Sequence, residues 1–475
     1  MVKRIKLRTL LIGGFITLLF VILIVRIFVL QVVQADKWHT TALKNWSKGY
    51  PIAATRGTIS DRNGNALAID APAYTIVVNP RVIHANNMED EVVEGLHRIL
   101  NKNEDDLHTL LNTKAIDSKT KAYDYVISRE VRNEGLKVDE ATKNKVKEFS
   151  DTLTKQLKKN NRKKAADSGI SFLTQSKRYY PKGQLAAHVL GFVDREGKAI
   201  MGLESKLDKE LKGTPGKINY QSDGSGDKLP NPKETLEPAV NGNNYKLTID
   251  DTIQYYIEDA MKEAYDLYKP ISMTVIAADP KNMEILGLAN LPTFDPNTFW
   301  ESEDAFSNFA VRAIYEPGST FKIVTLAGTI QEKLFNPTAT YMSGRVLVKG
   351  TRSTYLHDIN RSGWGPITYL EGVKRSSNVA FVKMGEMLGK DKLAKYIDDF
   401  GFGAKTGIEL PGEITGMITL KNPVQTATAS YGHGVTVTPI QQLAAISAIA
   451  NGGKLLKPHI IKEMIDQYGK NTKYE

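Results

Sequence analysis

Cysteine is absent from all 475 residues. That one absence removes thiolate metal sites, a cysteine nucleophile and disulfide staples together. A chain without disulfides has to be held by its packed cores. No group of histidines and carboxylates has metal-ligand spacing, so neither a metal nor another cofactor is expected. A long apolar run occurs once, near the N-terminus, and no small-residue cleavage site follows it.

That run begins the list of what is present. Lys3, Arg4, Lys6 and Arg8 precede Thr9–Val25, which is interrupted at Arg26 and resumes to Val33. The segment is long enough to span a bilayer, and Arg26 near one end can snorkel to the interface. The basic flank predicts a cytoplasmic tail over 1–8, an uncleaved anchor over 9–33 and the bulk of the chain outside the cell membrane. The net charge of +10 would suit nucleic acid, but an exported chain has little access to it, so no nucleic-acid partner is expected. Lys155–Lys164, the densest basic run, reads as a solvated helix face. The functional alternative is contact with anionic wall polymer or lipid head groups.

The length implies more than one domain. Arg56–Gly64 carries two turn signals around a short strand, and Ala73–Asn79 reads as a second strand. Residues 88–165 are charged and helix-forming. Together 34–220 read as an extended α+β pedestal, followed by a Gly-, Asp- and Pro-rich linker over 221–245. The unit 246–475 opens with Asp250 capping a helix whose apolar positions are Ile253, Tyr256, Ile257, Ala260 and Met261. Strands at Met273–Ala278 and Glu284–Ala289 flank Asp279-Pro-Lys-Asn, a tight turn. The expected class is α+β, with antiparallel strands backed by helices and a helical insertion.

Chemistry concentrates in Tyr315-Glu-Pro-Gly-Ser-Thr-Phe-Lys322. Ser319 and Lys322, at i and i+3, share one helix face, so the amine can reach the hydroxyl. Pro317-Gly318 is a turn and Thr320–Gln331 reads as a helix, which places Ser319 at a helix N-terminus that favours developing negative charge. A desolvated lysine can lose its proton and act as base toward the serine. The same spacing at Ser118/Lys121 and Ser225/Lys228 has polar surroundings and no helix start beside it. Downstream, Ser376-Ser-Asn378 is the only Ser-x-Asn, at the head of a helix over Val379–Leu388. Ser376 could relay a proton and Asn378 could hold a substrate amide, or both could simply be helix caps. Trp364 could line a substrate groove or pack under a loop. His357 and His433 read as locally bonded histidines, and Glu316 as a partner of Lys322 or of the helix N-terminus.

Together these motifs resemble the penicillin-binding protein family, whose signature is Ser-x-x-Lys, Ser-x-Asn and Lys-Thr-Gly. Arg56-Gly…Asp61-Arg-Asn-Gly64, Arg178-Tyr-Tyr-Pro181, His188-Val-Leu-Gly191 and Gly202-Leu-Glu204 are similar to the pedestal, or dimerisation-type domain, of its class B members. Leu247-Thr-Ile-Asp250, Pro292–Pro296, Gly401–Glu413, Ser430-Tyr-Gly-His-Gly434 and Thr438-Pro-Ile-Gln441 are similar to their transpeptidase domain. Asn360–Pro366 and Tyr220–Pro230 resemble the division-type branch typified by penicillin-binding protein 2B of Gram-positive bacteria.

The resemblance implies a β-lactamase-like penicilloyl-serine transferase domain and a D,D-transpeptidase that cross-links stem peptides of the septal wall. Ser319 would be the nucleophile, Lys322 the base, Ser376 the relay and Asn378 a substrate clamp, with β-lactams acylating the same serine. Implied partners are peptidoglycan stem peptides and division-complex proteins, including a glycosyltransferase of the shape, elongation, division and sporulation (SEDS) family. A division scaffold or β-lactam sensor is the non-enzyme alternative. A D,D-carboxypeptidase or β-lactamase would use the same serine with water, and nothing before residue 245 resembles a glycosyltransferase domain. The third motif departs from the pattern. Lys405-Thr406-Gly407 follows a helix-ending loop a short way past Ser376 and reads as a decoy. The family's own motif is expected beyond Glu475, on a strand that this sequence does not reach, so the transpeptidase domain over 246–475 reads as incomplete and the sequence as written is not expected to cross-link peptidoglycan.

Overall fold

The computed structural model describes residues 2–38, 47–116, 122–159, 167–221 and 235–473. Ser118/Lys121, Ser225/Lys228, most of the expected linker and the end of the Lys155–Lys164 run lie outside those residues. The chain divides into two compact units, Met1–Ala54 with Gly213–Asn241 and Thr55–Lys212 with Gly242–Glu475.

In the first unit, helix α1 (Val2–Phe28) continues into a π-helical turn over Val29–Val33. The basic residues at 3–8 form its opening turns, so helix and flank are one element. Leu11–Val33 has a mean hydropathy of 2.8 with none of its surface buried in protein, as a membrane anchor requires. Ser47–Ile52, Gly216–Gln221 and Thr235–Glu237 form an antiparallel three-stranded sheet.

The second unit is organised by a mixed sheet. β1 (Ile59–Ser60) pairs antiparallel with β2 (Ala66–Val78), which pairs in turn with β3 (Ile170–Tyr179) from Ile69 opposite Tyr179 to Val78 opposite Ile170. β2 begins at Ala66 rather than at the expected Ala73. Asp70 and Pro72 break the local strand pattern, and the ladder to β3 carries the backbone through them. Helices α2 (Glu89–Leu100), α3 (Glu104–Leu111) and α4 (Glu140–Lys159) pack Val92, Leu96, Leu107 and Val146 against Ile76 and Val78. β4 (Asn244–Leu247) joins the sheet parallel to β1 and antiparallel to Ile461–Ile465.

Beneath β1 lies a buried charge knot. Glu204, fully buried, accepts Arg56 Nε at 2.7 Å and Arg178 Nε at 2.5 Å. Arg56 also reaches Asp208 at 2.6 Å, and Arg178 Nη1 donates to the Gly57 carbonyl at 2.8 Å.

Helix α5 (Asp251–Tyr268) starts at Asp250, whose carboxylate accepts the N–H groups of Thr252 and Ile253. Its buried face is turned from the expected one. Met261 is buried, but Tyr256 is exposed and Gln254 takes the inner position. Gln254 behaves there as a short piece of strand backbone: its amide donates to Leu288 O at 2.9 Å and accepts Leu288 N–H at 2.8 Å. Leu288 belongs to β6 (Ile285–Leu291), paired antiparallel with β5 (Met273–Ala278).

The rest is mainly helical. α6 (Lys322–Gln331), α7 (Asn378–Leu388) and α8 (Lys390–Asp399) enclose Phe321, Val324, Leu388, Leu393 and Ile397, and α9 (Pro439–Ala450) closes the cluster with Ala445. α6 and α7 therefore lie together, and the two motifs sit at their N-terminal ends.

Candidate active site

Gly318–Phe321 forms one 3-10 turn that leads directly into α6. Ser319 is inside that turn and Lys322 is the first residue of the α-helix. Residues 430–442, a loop running into the first turn of α9, pin the turn from behind. Gly318 N–H donates to Gly432 O at 3.0 Å, Tyr315 and Val437 exchange backbone bonds at 3.1 and 3.0 Å, and Gln442 Nε2 donates to Thr320 O at 3.1 Å. Gly432 sits at φ +86°, and a methyl group there would lie 2.1 Å from Gly318 O. No larger residue fits without moving the Ser319 turn.

The second motif is a turn before α7. Ser377, the middle residue, is the helix cap: its Oγ accepts Ala380 N–H at 3.1 Å and donates to Asp358 Oδ1 at 2.8 Å. Ser376 and Asn378 are thus free of capping duty. Ser376 is held at φ +55°, a left-handed conformation uncommon for a serine.

Lys322 joins the two motifs. Its Nζ lies 3.2 Å from Ser319 Oγ, 2.9 Å from Ser376 Oγ, 2.6 Å from Ser376 O and 2.8 Å from Asn378 Oδ1. The two shortest contacts dictate the chemistry. A backbone carbonyl can only accept. Asn378 Oδ1 is likewise fixed as an acceptor, because Nδ2 of the same amide donates to His357 O at 3.1 Å. These two oxygens take two amine hydrogens. The remaining direction faces two hydroxyls, and either can donate to a lone pair. The cage therefore holds the Lys322 amine within proton-transfer distance of both serine hydroxyls.

Electrostatics agree with that geometry. Burial drives the Lys322 amine down from its ordinary value to about 8, and Asp358 opposes the shift by favouring the ammonium. Sequence reasoning did not find Asp358. Almost fully buried, it accepts Gly344 N–H at 2.8 Å, Val379 N–H at 3.0 Å and the Ser377 hydroxyl, which locks the second motif in place. Its contribution is long-range, and no local pattern in the sequence marks it. Asp358→Asn should lower the acylation rate, since an amide nitrogen must then meet one of those N–H donors. It should also move the pH midpoint of acylation below 8, because the charge that favours the ammonium is gone. Rate measurements across pH on the variant check both effects.

The other candidates lie elsewhere. Trp364 is half-buried; its backbone N–H donates to Ser343 Oγ at 2.7 Å and Arg375 lies over its ring at 5.3 Å. His357 contributes only its backbone carbonyl to the cage. The His433 ring packs against Tyr431 with centroids 5.1 Å apart. Glu316 contacts neither Lys322 nor the helix start and instead accepts Gly434 N–H at 3.0 Å, bracing the same segment that pins the Ser319 turn. Lys405-Thr-Gly407 lies in a loop. Thr406 N–H and Oγ donate to Glu413 Oε1 at 2.7 and 2.6 Å, and Gly407 N–H donates to Oε2 at 3.1 Å. That triplet closes a carboxylate-centred turn.

Two families match the chain. The penicillin-binding protein dimerisation domain covers residues 51–247, and the penicillin binding protein transpeptidase domain covers residues 273–475. The chain belongs to the class B penicillin-binding proteins. It is 38% identical to stage V sporulation protein D of Bacillus subtilis, over 96% of this chain and 66% of that protein. It is 26% identical to peptidoglycan D,D-transpeptidase FtsI of Escherichia coli, over 93% of this chain and 70% of that one. Among solved structures, penicillin binding protein 2X from Streptococcus thermophilus matches with a TM-score of 0.66 at 27% identity, over 90% of this chain and 63% of that one. The chain thus spans about two thirds of the length of these relatives.

Proposed function

We propose that this protein is a D,D-transpeptidase that cross-links peptidoglycan stem peptides in septal wall synthesis through an acyl-enzyme on Ser319. The observation that carries this reading is the Lys322 cage, in which one amine lies within hydrogen-bond distance of Ser319 Oγ, Ser376 Oγ, Ser376 O and Asn378 Oδ1. Ser319 Oγ attacks the penultimate D-alanine carbonyl and its proton passes to Lys322. A C–O bond forms, and negative charge collects on the carbonyl oxygen near the Ser319 backbone N–H at the start of the Gly318–Phe321 turn. Lys322 then returns the proton through Ser376 Oγ to the leaving nitrogen, the C–N bond breaks and D-alanine departs. An amine of a neighbouring stem reverses these steps, loses its proton to Lys322 and frees Ser319.

Asn378 holds Lys322 in orientation and offers its amide edge to substrate, and Trp364, linked to Ser376 through Arg375, walls the groove. β-Lactams enter by the first step alone, opening their ring amide onto the same oxygen. The reading places the N-terminus in the cytoplasm, the pedestal over 34–220, the transpeptidase domain over 246–475, and division-complex partners including a SEDS glycosyltransferase outside the described contacts.

The test is covalent labelling of the intact membrane-anchored protein with fluorescent penicillin. Labelling is expected, with the penicilloyl mass on the Ser319 peptide, and its complete loss in Ser319→Ala. An adduct on another residue, or unlabelled wild type, would overturn the reading.

A further inference from the structure

A cavity of about 350 Å³ opens beside the outer edge of β6, between α5 and the helical turn Ala187–Leu190. β5 pairs with one edge of β6, and α5 supplies partners to the other in regular steps. Asp250 N–H donates to Leu286 O at 2.9 Å, and the Gln254 amide takes both backbone groups of Leu288. Four helical residues and two strand residues each advance about 6–7 Å, so the next rung sets Glu258 beside Asn290. Strand alternation turns the Asn290 N–H and C=O to the same edge as those of Leu288. That rung is open. Glu258 Oε1 instead accepts Gln254 Nε2 at 2.7 Å and Ala186 N–H at 2.8 Å, and the Asn290 backbone groups have no partner among the described residues. Asn290 is buried, where backbone groups nearly always find one.

Glu258 is also a half-buried carboxylate that no cation answers. Burial pushes its proton affinity up, and only the hydrogen bonds from Gln254 and Ala186 oppose that shift. Two basic residues line the cavity. His188 is kept neutral, driven down to about 4 by burial. Lys262 is exposed and forms no ion pair with Glu258 among the described residues. Asp259, exposed on the same wall, adds a second negative charge. Tyr255, one helical turn before Glu258, brings an aromatic ring to the cavity, and Met261 and Leu291 bring apolar surface. An ammonium group suits a carboxylate and a ring together, and an amide beside it would complete the Asn290 rung. We propose that this cavity binds a short peptide carrying a positively charged amine, with a peptide amide paired to the Asn290 backbone and the ammonium on Glu258.

Equilibrium dialysis of the intact protein against acetyl-alanyl-lysine amide tests this. Saturable binding of one peptide is expected, weakened roughly tenfold or more in Glu258→Gln, which keeps an acceptor for Ala186 N–H and removes only the charge. An unchanged circular dichroism spectrum shows that the variant remains folded. Acetylating the lysine side chain of the probe should weaken binding to the wild-type protein as much, a comparison that needs no variant. Hexylamine, which has the ammonium but no amide, should bind roughly tenfold more weakly than the peptide or worse. No saturable uptake, uptake indifferent to Glu258→Gln or to acetylation, or hexylamine bound as tightly as the peptide would overturn the assignment.

Discussion

Lys322→Met is expected to lower the second-order rate of penicillin acylation by roughly a thousandfold, the contribution of a positioned general base. Methionine keeps an unbranched apolar stem in the buried space beside Phe381, over whose ring the wild-type amine lies at 5.2 Å. In the proposed mechanism, what it removes is the lone pair that takes the Ser319 proton. Lys322→Arg should fare no better, since a guanidinium stays protonated at every working pH and its fork is too wide for a cage built around one nitrogen. Stopped-flow labelling of the intact protein measures both variants. A Lys322→Met rate within a few-fold of wild type would mean that Ser319 is activated by another group.

The largest expected effect on stability lies away from the site. Glu204→Ala leaves Arg56 and Arg178 buried, each having lost its central carboxylate partner. Removing one partner from a buried ion pair costs about 3–5 kcal/mol, mostly because the remaining charge stays desolvated. Here two charges share the loss, and Asp208 relieves only Arg56. Denaturant unfolding of the intact protein should show the lowered midpoint. A double change that also replaces Arg178 by methionine should recover part of it, because no unpaired guanidinium then remains on that side. No change in midpoint for Glu204→Ala would show that the knot is not a structural support.

The sequence made the first half of the site legible because its chemistry is local. Ser319 and Lys322 are one helical turn apart, and the Pro317-Gly318 turn signals the helix start. Ser376 and Asn378 were legible as a pair, but their choice between capping and chemistry was not. Capping falls to Ser377 because a distant carboxylate, Asp358, takes its hydroxyl hydrogen, and only the folded chain brings residue 358 to that turn. The same limit explains Glu316, which braces residues 430–442 rather than Lys322. It also explains Tyr256, displaced outward because the amide of Gln254 fits the edge of Leu288 better than a ring would. Strand β2 outran its local pattern for a related reason, since a cross-strand ladder can carry a proline that propensity alone rejects. Local periodicity thus located the elements and the Ser319–Lys322 pair. Contacts between residues remote in sequence decided which polar groups were left available for chemistry.

The central claim is that Lys322 works as a neutral amine, made so by burial. The pH dependence of penicillin acylation in the intact protein tests this most directly. A base must be deprotonated, so the rate should rise with pH, reach half its maximum near 8 and level off above it. At pH 7 about one site in ten then carries the active form. A rate that stays flat across this range, or a midpoint near the ordinary lysine value, would contradict the account.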